Sequence, residues 1–381
     1  MDTTPVIIIG TGLAGYTLAR EFRKLDKTTP LTLISRDDGA AYSKPLLSTA
    51  LTQNKMASAL ATSSAEAMSI QLNAQVLPHT QVNEIDSQNK SITTAAGTKL
   101  SYTKLVLALG AHQVLPPLEG DGVADIITIN DLADYASFRD KLEQAKNIAI
   151  IGAGFIGCEF ANDLANKNYN VDIISRGTEP FDHLLPKEIG QSLRLALEKL
   201  TTTWHCNCSA NRIDHSESGY KIQLSNNSHI EASLVLSATG LKANTQLALA
   251  AGINTQRGII ANTLLETNIS DIYTLGDCLE LNGSVLPFIM PLMNQARALA
   301  KTLTGNDTPL SYPIMPLAVK TPSQPITGVL PKTEIDGQWQ IETNVSDVKA
   351  LFFDSAKQLH GFALSGSNAV KEKASLVKQL V

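Results

Sequence analysis

Four consecutive apolar residues, Val6 to Ile9, run into Gly10-x-Gly12-x-x-Gly15, after which Leu13, Leu18, Ala19 and Phe22 fall at helical spacing. An unbroken apolar run predicts a strand buried on both faces of a parallel sheet. The spaced positions predict a helix with one apolar side. The same grammar returns at Ile148 to Ile151, followed by Gly152-x-Gly154-x-x-Gly157. In each copy the first glycine makes the turn, the second leaves room for a pyrophosphate and the third lets the helix lie against the strand. The helix start then offers free N–H groups and the positive end of its dipole. Two dinucleotide cradles are the reading; two tight turns without a ligand are the plain alternative.

The repetition extends past the glycines. "QVNEIDSQNKSITTAAGTKLSYTKLVLALG" and "ANRIDHSESGYKIQLSNNSHIEASLVLSATG" both read as short strands broken by turn residues, and both close an apolar strand on a glycine, Gly110 and Gly240. A duplicated domain accounts for this better than coincidence. Farther on, Trp339 to Ile341 and Ala350 to Phe353 predict strands, and Ala374 to Val381 predicts a helix. The fold class is therefore α/β: two Rossmann-like dinucleotide-binding domains plus a small α+β C-terminal domain.

Composition narrows the setting. The 381 residues suffice for two or three domains. A net charge of −5 suggests no nucleic-acid partner and no anionic membrane. No apolar run approaches the roughly 18 residues needed to cross a bilayer, so no membrane insertion is expected, and a first strand beginning near Pro5 leaves no room for a signal peptide. Cys158, Cys206, Cys208 and Cys278 form no disulfide framework, which points to a cytoplasmic chain. "HCNC", His205 to Cys208, looks like part of a metal site, with both cysteines on one strand face; no second ligand pair lies at zinc spacing, and no metal is expected.

The two cradles, taken with "TNISDIYTLGDC", resemble the FAD-dependent pyridine-nucleotide oxidoreductases. In that family a threonine, here Thr267, precedes an apolar strand ending in Gly-Asp, here Gly276-Asp277, and the aspartate meets a ribityl hydroxyl of FAD. "YSKPLLS", "GAGFIGCEFANDL", "MPLMNQARALAKTL" and "VKTP" extend the resemblance along the chain, towards the branch that oxidises NADH through FAD and reduces the one-iron protein rubredoxin, which feeds alkane hydroxylation. It implies FAD in the first cradle (Gly10, Gly12, Leu13, Ala14, Gly15, with Gly110) and NADH in the second (Gly152, Gly154, Ile156, Gly157, with Gly240). The boundaries that follow are 1–112 and 242–311 for the FAD domain, 113–241 for the NAD domain and 312–381 for the C-terminal domain.

The resemblance also assigns roles. Lys44, before Pro45, would sit at the flavin N5 side; alone it reads equally as a solvated loop lysine. Pro45 is expected to hold Lys44 extended. Lys320 would lie near the flavin pyrimidine, and Glu159 would reach the nicotinamide carboxamide, although by itself it is an ordinary acid near a helix start. The backbone of Val82 would meet the adenine. Ser35 and Arg36 stand where an acid usually takes the ribose, leaving Asp37 or Asp38 to substitute. Ser175 and Arg176 stand at the equivalent place in the second unit, where an arginine suits NADPH; the complete glycine set leans to NADH. Lys44, Glu159 and Lys320 are the catalytic candidates.

No cysteine precedes Cys158, so the thiol chemistry of the disulfide reductases and NADH oxidases has no residue at its usual place. Direct transfer of single electrons to a protein is favoured. The rivals are a ferredoxin or flavorubredoxin reductase of the same family, and a non-catalytic redox sensor that binds FAD and NAD.

Overall fold

The computed structural model describes residues 4–380. The chain divides into two compact units, the first built from the residues up to Lys44, Ala59–His112 and Leu241–Pro313, the second from Pro45–Ser58, Gln113–Gly240 and Ile314–Val381.

The first unit is organised around a parallel five-stranded sheet. Its strands, in spatial order, are Ile272–Thr274, Lys104–Leu107, Val6–Ile9, Leu31–Ile34 and Gln75–Leu77. Val6 to Ile9 are all buried, as a central parallel strand requires, and each such side chain stabilises the fold by about 1.5–3 kcal/mol. One face of the sheet carries the helices Leu13–Leu25 and Ile289–Leu303, joined through Leu18, Phe22, Ala296 and Leu299. The other face is covered by an antiparallel ribbon, Val82–Asp86, Ser91–Thr94 and Lys99–Ser101, through Ile85 and Ile92.

The second unit repeats the plan. Thr202–His205, Asn170–Ile174, Asn147–Ile151 and Leu234–Ser237 form a parallel sheet. The ribbon is Ala210–Ser216, Gly219–Leu224 and His229–Ala232. A five-stranded antiparallel sheet follows, in the order Leu317–Val319, Ile326–Val329, Leu359–Ser365, Val348–Asp354 and Gly337–Thr343. The Lys187–Glu198 helix reaches it through Ser192, whose hydroxyl lies 2.6 Å from that of Ser365. The α/β class with a C-terminal sheet is thus what forms.

Three local expectations are corrected. Lys44 is not extended: it opens a 3-10 helix, Lys44–Thr49. Proline is tolerated in a first turn because its missing N–H would have no partner there. Cys206 and Cys208 do not share a strand face. The strand ends at His205, and Asn207, at φ 55°, turns the chain so that Cys208 enters the core while Cys206 stays half-buried. The terminal helix is Lys373–Val377, shorter than 374–381; Leu376 is its buried anchor, and Val381 lies outside the described residues.

The third glycines explain why strand and helix meet so closely. A Cβ on Gly157 would sit 2.0 Å from the Gly152 carbonyl oxygen, whereas one on Gly154 would meet nothing within 4 Å. Gly157→Ala should therefore lower stability by about 1–3 kcal/mol despite alanine's better helix propensity. Gly154→Ala should change it by less than about 0.5 kcal/mol. Thermal melting of both variants checks this; equal melting would contradict it.

Candidate functional site

In the first unit the Leu13–Leu25 helix begins directly beyond the Val6–Ile9 strand. Gly10, at φ +116°, makes the turn, and a Cβ there would strike the Ala108 carbonyl oxygen at 2.2 Å. Gly12 has an ordinary φ of −64° and open space where a Cβ would be. Nothing in the fold demands glycine at this position. The helix has no side-chain cap and no acid in its first turn. Its first amides, at Leu13, Ala14 and Gly15, face that open space with their dipole unspent.

Asp277 stands in the same unit, in the turn Gly276–Cys278 beyond the Ile272–Thr274 strand. Gly276 is held by the buried Gln295, whose Oε1 accepts its N–H at 2.8 Å; Gln295 Nε2 donates to the Tyr312 hydroxyl at 2.8 Å. Asp277 itself accepts no hydrogen bond from any described residue. Burial pushes its carboxyl above the ordinary range, and the Lys44 ammonium pulls it part of the way back. A half-buried carboxylate with unspent acceptors beside an open glycine cradle is a fit for a polyhydroxylated dinucleotide such as FAD.

The remaining predicted residues of this unit are placed as follows. Ser35 is buried at the end of the Leu31–Ile34 strand, 2.5 Å from the Thr11 hydroxyl, and donates to Asp37. Asp37 also accepts from the Gly39 N–H, and Asp38 accepts from the Ala40 N–H. Arg36 is exposed. Val82 is buried at an irregularity in the ribbon, where its ladder breaks before Glu84. Gly110 has φ +66°.

The second unit has the same cradle. Gly152 turns at φ +112°, and Gly154, the uncapped helix N-cap, has φ −76° and open space beside it. Ile156 is exposed on the first turn. Gly240, at φ +117°, is exposed with nothing near a Cβ position. Arg176 is exposed beyond the Asn170–Ile174 strand, next to the buried Ser175.

One turn into the Phe155–Ala165 helix, Glu159 is 3% exposed and accepts three bonds, which leaves one acceptor position on Oε1. Its Oε1 accepts from the Lys320 backbone N–H at 2.9 Å. Its Oε2 takes the Lys320 ammonium at 2.7 Å and the Ser48 hydroxyl at 2.6 Å. Lys320 Nζ donates also to Ser48 Oγ, at 2.8 Å, and to the Pro45 carbonyl. All three ammonium protons are thus spoken for. The structure brings Pro45, Glu159 and Lys320 into one knot, with Ser48 at its centre. Sequence reading missed Ser48, Gln295 and Asp163; for Asp163 the visible signal was a pair of acids four residues apart inside a helix otherwise apolar but for Asn162.

Among the described residues no group of three His, Cys, Asp or Glu side chains could hold a metal ion, and no helix is long and apolar enough to cross a membrane. All four cysteines are free. The Cys158 and Cys278 thiols are pushed up by burial, which leaves them poor nucleophiles.

Comparison with known proteins follows this geometry. The pyridine nucleotide-disulphide oxidoreductase family matches residues 4–300, and a rubredoxin binding C-terminal domain matches residues 309–380. A rubredoxin-NAD(+) reductase from Alcanivorax borkumensis is 43% identical over 99% of this chain and 98% of its own. A nitric oxide reductase FlRd-NAD(+) reductase from Aliivibrio fischeri is 34% identical over 99% of this chain and 98% of its own. Among solved structures, a ferredoxin reductase from Rhodopseudomonas palustris superposes with a TM-score of 0.89 over 99% of this chain and 95% of its own, at 23% identity.

Asp277 gives a test with a definite sign. A carboxyl whose folded-state pKa is raised favours the folded state only below its ordinary value of 3.8 and loses that contribution as pH rises through the folded value. Asp277→Asn should therefore raise the melting temperature of the flavin-free protein at pH 8, with the gain narrowing towards pH 4, while flavin retention falls. A lower melting temperature at pH 8 would contradict this.

Proposed function

This chain belongs to the pyridine nucleotide-disulphide oxidoreductase family, and we propose that it takes electrons from NADH onto FAD and delivers them singly to rubredoxin. The observation that carries this reading is the rubredoxin binding C-terminal domain matched over residues 309–380, on a chain that also holds two open glycine cradles. A full-length relative with that activity in its name supports it. The downstream use of rubredoxin in alkane hydroxylation rests on the resemblance alone. We infer a cytoplasmic location, in keeping with four free cysteines.

The chemistry of the cofactors is two-electron acceptance from NADH by FAD and its release in single steps. The residues bind and orient. In this reading Gly10, Gly12 and Gly15 admit the FAD pyrophosphate, and the amides of Leu13 and Ala14 neutralise it. Asp277, kept in place by Gln295 through Gly276, accepts from a ribityl hydroxyl, and Lys44 offsets its charge. Val82, Gly110, and Ser35 with Arg36 serve the adenosine end.

Gly152, Gly154, Ile156 and Gly157 admit the nicotinamide dinucleotide, with Gly240 leaving the far side open. Arg176, exposed beyond the Asn170–Ile174 strand, would lie on the 2′ side of its ribose. Glu159 serves as an acceptor for the carboxamide N–H and not as a base, because the Lys320 ammonium already balances its charge. Lys320 acts by holding that carboxylate and the Pro45 carbonyl together. Residues 1–112 with 242–311, 113–241 and 312–381 are the corresponding FAD, NAD and partner-binding domains.

A second reading, transfer to a rubredoxin-like domain of a nitric oxide-reducing flavoprotein, is favoured by the 34% relative and not by any residue of this chain. Stopped-flow reduction distinguishes the acceptors. Purified rubredoxin should be reduced faster than a plant-type ferredoxin, at a rate that falls as ionic strength rises past about 0.1 M. Faster ferredoxin reduction, or a rubredoxin rate indifferent to salt, would overturn the assignment.

A further inference from the structure

Asp163 is a buried carboxylate with no part in the chemistry above. It lies four residues beyond Glu159, on the same face of the Phe155–Ala165 helix, and both are 3% exposed. Like charges at this spacing repel even on a helix surface, and burial adds a desolvation penalty to each. A helix with no use for the second acid would carry an apolar residue there.

Its partners show what it does. Asp163 Oδ2 accepts the Leu51 N–H at 2.9 Å; Oδ1 accepts the Thr52 N–H at 2.9 Å and also the Thr52 hydroxyl. These three donors belong to the turn that ends the 3-10 helix carrying Ser48. Ser48 in turn donates to Glu159 and accepts from Lys320. Between the two acids Asn162 accepts the Ser323 N–H at 3.1 Å, which fixes the loop that presents Lys320. The far end of the excursion is also tied: Lys167 Nζ donates to Asn54 at 2.6 Å, and the Lys55 carbonyl accepts from Arg139 at 2.9 Å and from the Tyr135 hydroxyl at 3.2 Å.

We propose that Asp163 is a positioning residue for Glu159: it clamps the Leu51–Thr52 turn, the turn sets the place of Ser48, and Ser48 fixes the carboxylate that meets the nicotinamide carboxamide. The proposal rests on the role given to Glu159 above. Each carboxylate is stabilised by donors from the same short segment, so the pair is held in register by one strap of chain. Asn162 and Asp163 hold the two arms, Ser48 and Lys320, that close on Glu159. The consequence is that nicotinamide affinity depends on a side chain that does not touch the nucleotide.

The test is a double-mutant cycle on the flavin-loaded, full-length protein, read as the dissociation constant of NAD+ by equilibrium titration and as the KM and kcat for NADH with ferricyanide. Asp163→Asn presents an amide N–H to backbone donors and loses a charged acceptor, so it should weaken NAD+ binding by about tenfold and raise KM more than it lowers kcat. Ser48→Ala, which removes one hydroxyl and, besides its bonds to Glu159 and Lys320, only a long 3.4 Å contact with the Pro45 carbonyl, should act in the same direction. In a Glu159→Gln background both effects should vanish.

Asp163→Glu, which keeps the charge, should recover part of the affinity. Equal losses in the presence and absence of Glu159, or wild-type NAD+ affinity in Asp163→Asn and Ser48→Ala, would overturn the proposal while leaving the role of Glu159 standing. Wild-type affinity in Glu159→Gln alone would overturn both. If Asp163→Asn does not fold, Ser48→Ala decides.

Discussion

The close approach of helix to strand at the third glycine of each cradle is the constraint on which the molecule depends. A Cβ on Gly15 or Gly157 would lie 1.9 Å or 2.0 Å from the carbonyl oxygen of Gly10 or Gly152. With no side chain there, the helix start is driven onto the end of the strand and its first amides are left without internal acceptors. The neighbouring glycine in each cradle is then free of any folding duty, with open space at its Cβ position. Folding requires the first and third glycines of each cradle and makes no demand on the second. The result is a pair of helix starts whose first amides point to solvent with no acceptor supplied by the chain, an arrangement that suits an anion.

What surrounds each cradle gives it its character. In the first unit the addition is Asp277, a carboxylate that follows Gly276, whose N–H Gln295 accepts. In the second it is the knot of Glu159, Lys320 and Ser48. Both arrangements cost stability, since buried charge is expensive even when paired. Two fully buried acids, Glu159 and Asp163, and the half-buried Asp277 stand where apolar residues would pack better. Such departures from good packing concentrate at working sites.

The cradles were legible because they are local. Strand, turn glycines and helix lie within about twenty residues, and each glycine has a physical reason at its own spacing. Their repetition, and the closing strands, made the α/β plan readable too. Lys320 was not legible in the same way. As a residue in a loop it is indistinguishable from a solvated lysine, and only contact with Glu159, 161 residues away in sequence, gives it a role. Ser48 depends on a pairing across 111 residues and left no local trace. The backbone at Lys44 was misread because the restraint before proline is a bias that a favourable 3-10 turn overrides. The cysteine pair was misread because a single left-handed residue, Asn207, breaks strand alternation.

The central claim is that the two cradles hold different dinucleotides, FAD in the first and NADH in the second. Because Gly12 and Gly154 have ordinary backbone angles and open surroundings, aspartate at either should leave the fold intact and place a carboxylate where a pyrophosphate would lie. The decisive measurement is flavin content and NAD+ binding in the Gly12→Asp and Gly154→Asp variants. The account predicts that Gly12→Asp is purified without flavin and still binds NAD+, while Gly154→Asp keeps its flavin and no longer binds NAD+. Loss of flavin from Gly154→Asp with retention in Gly12→Asp would contradict it.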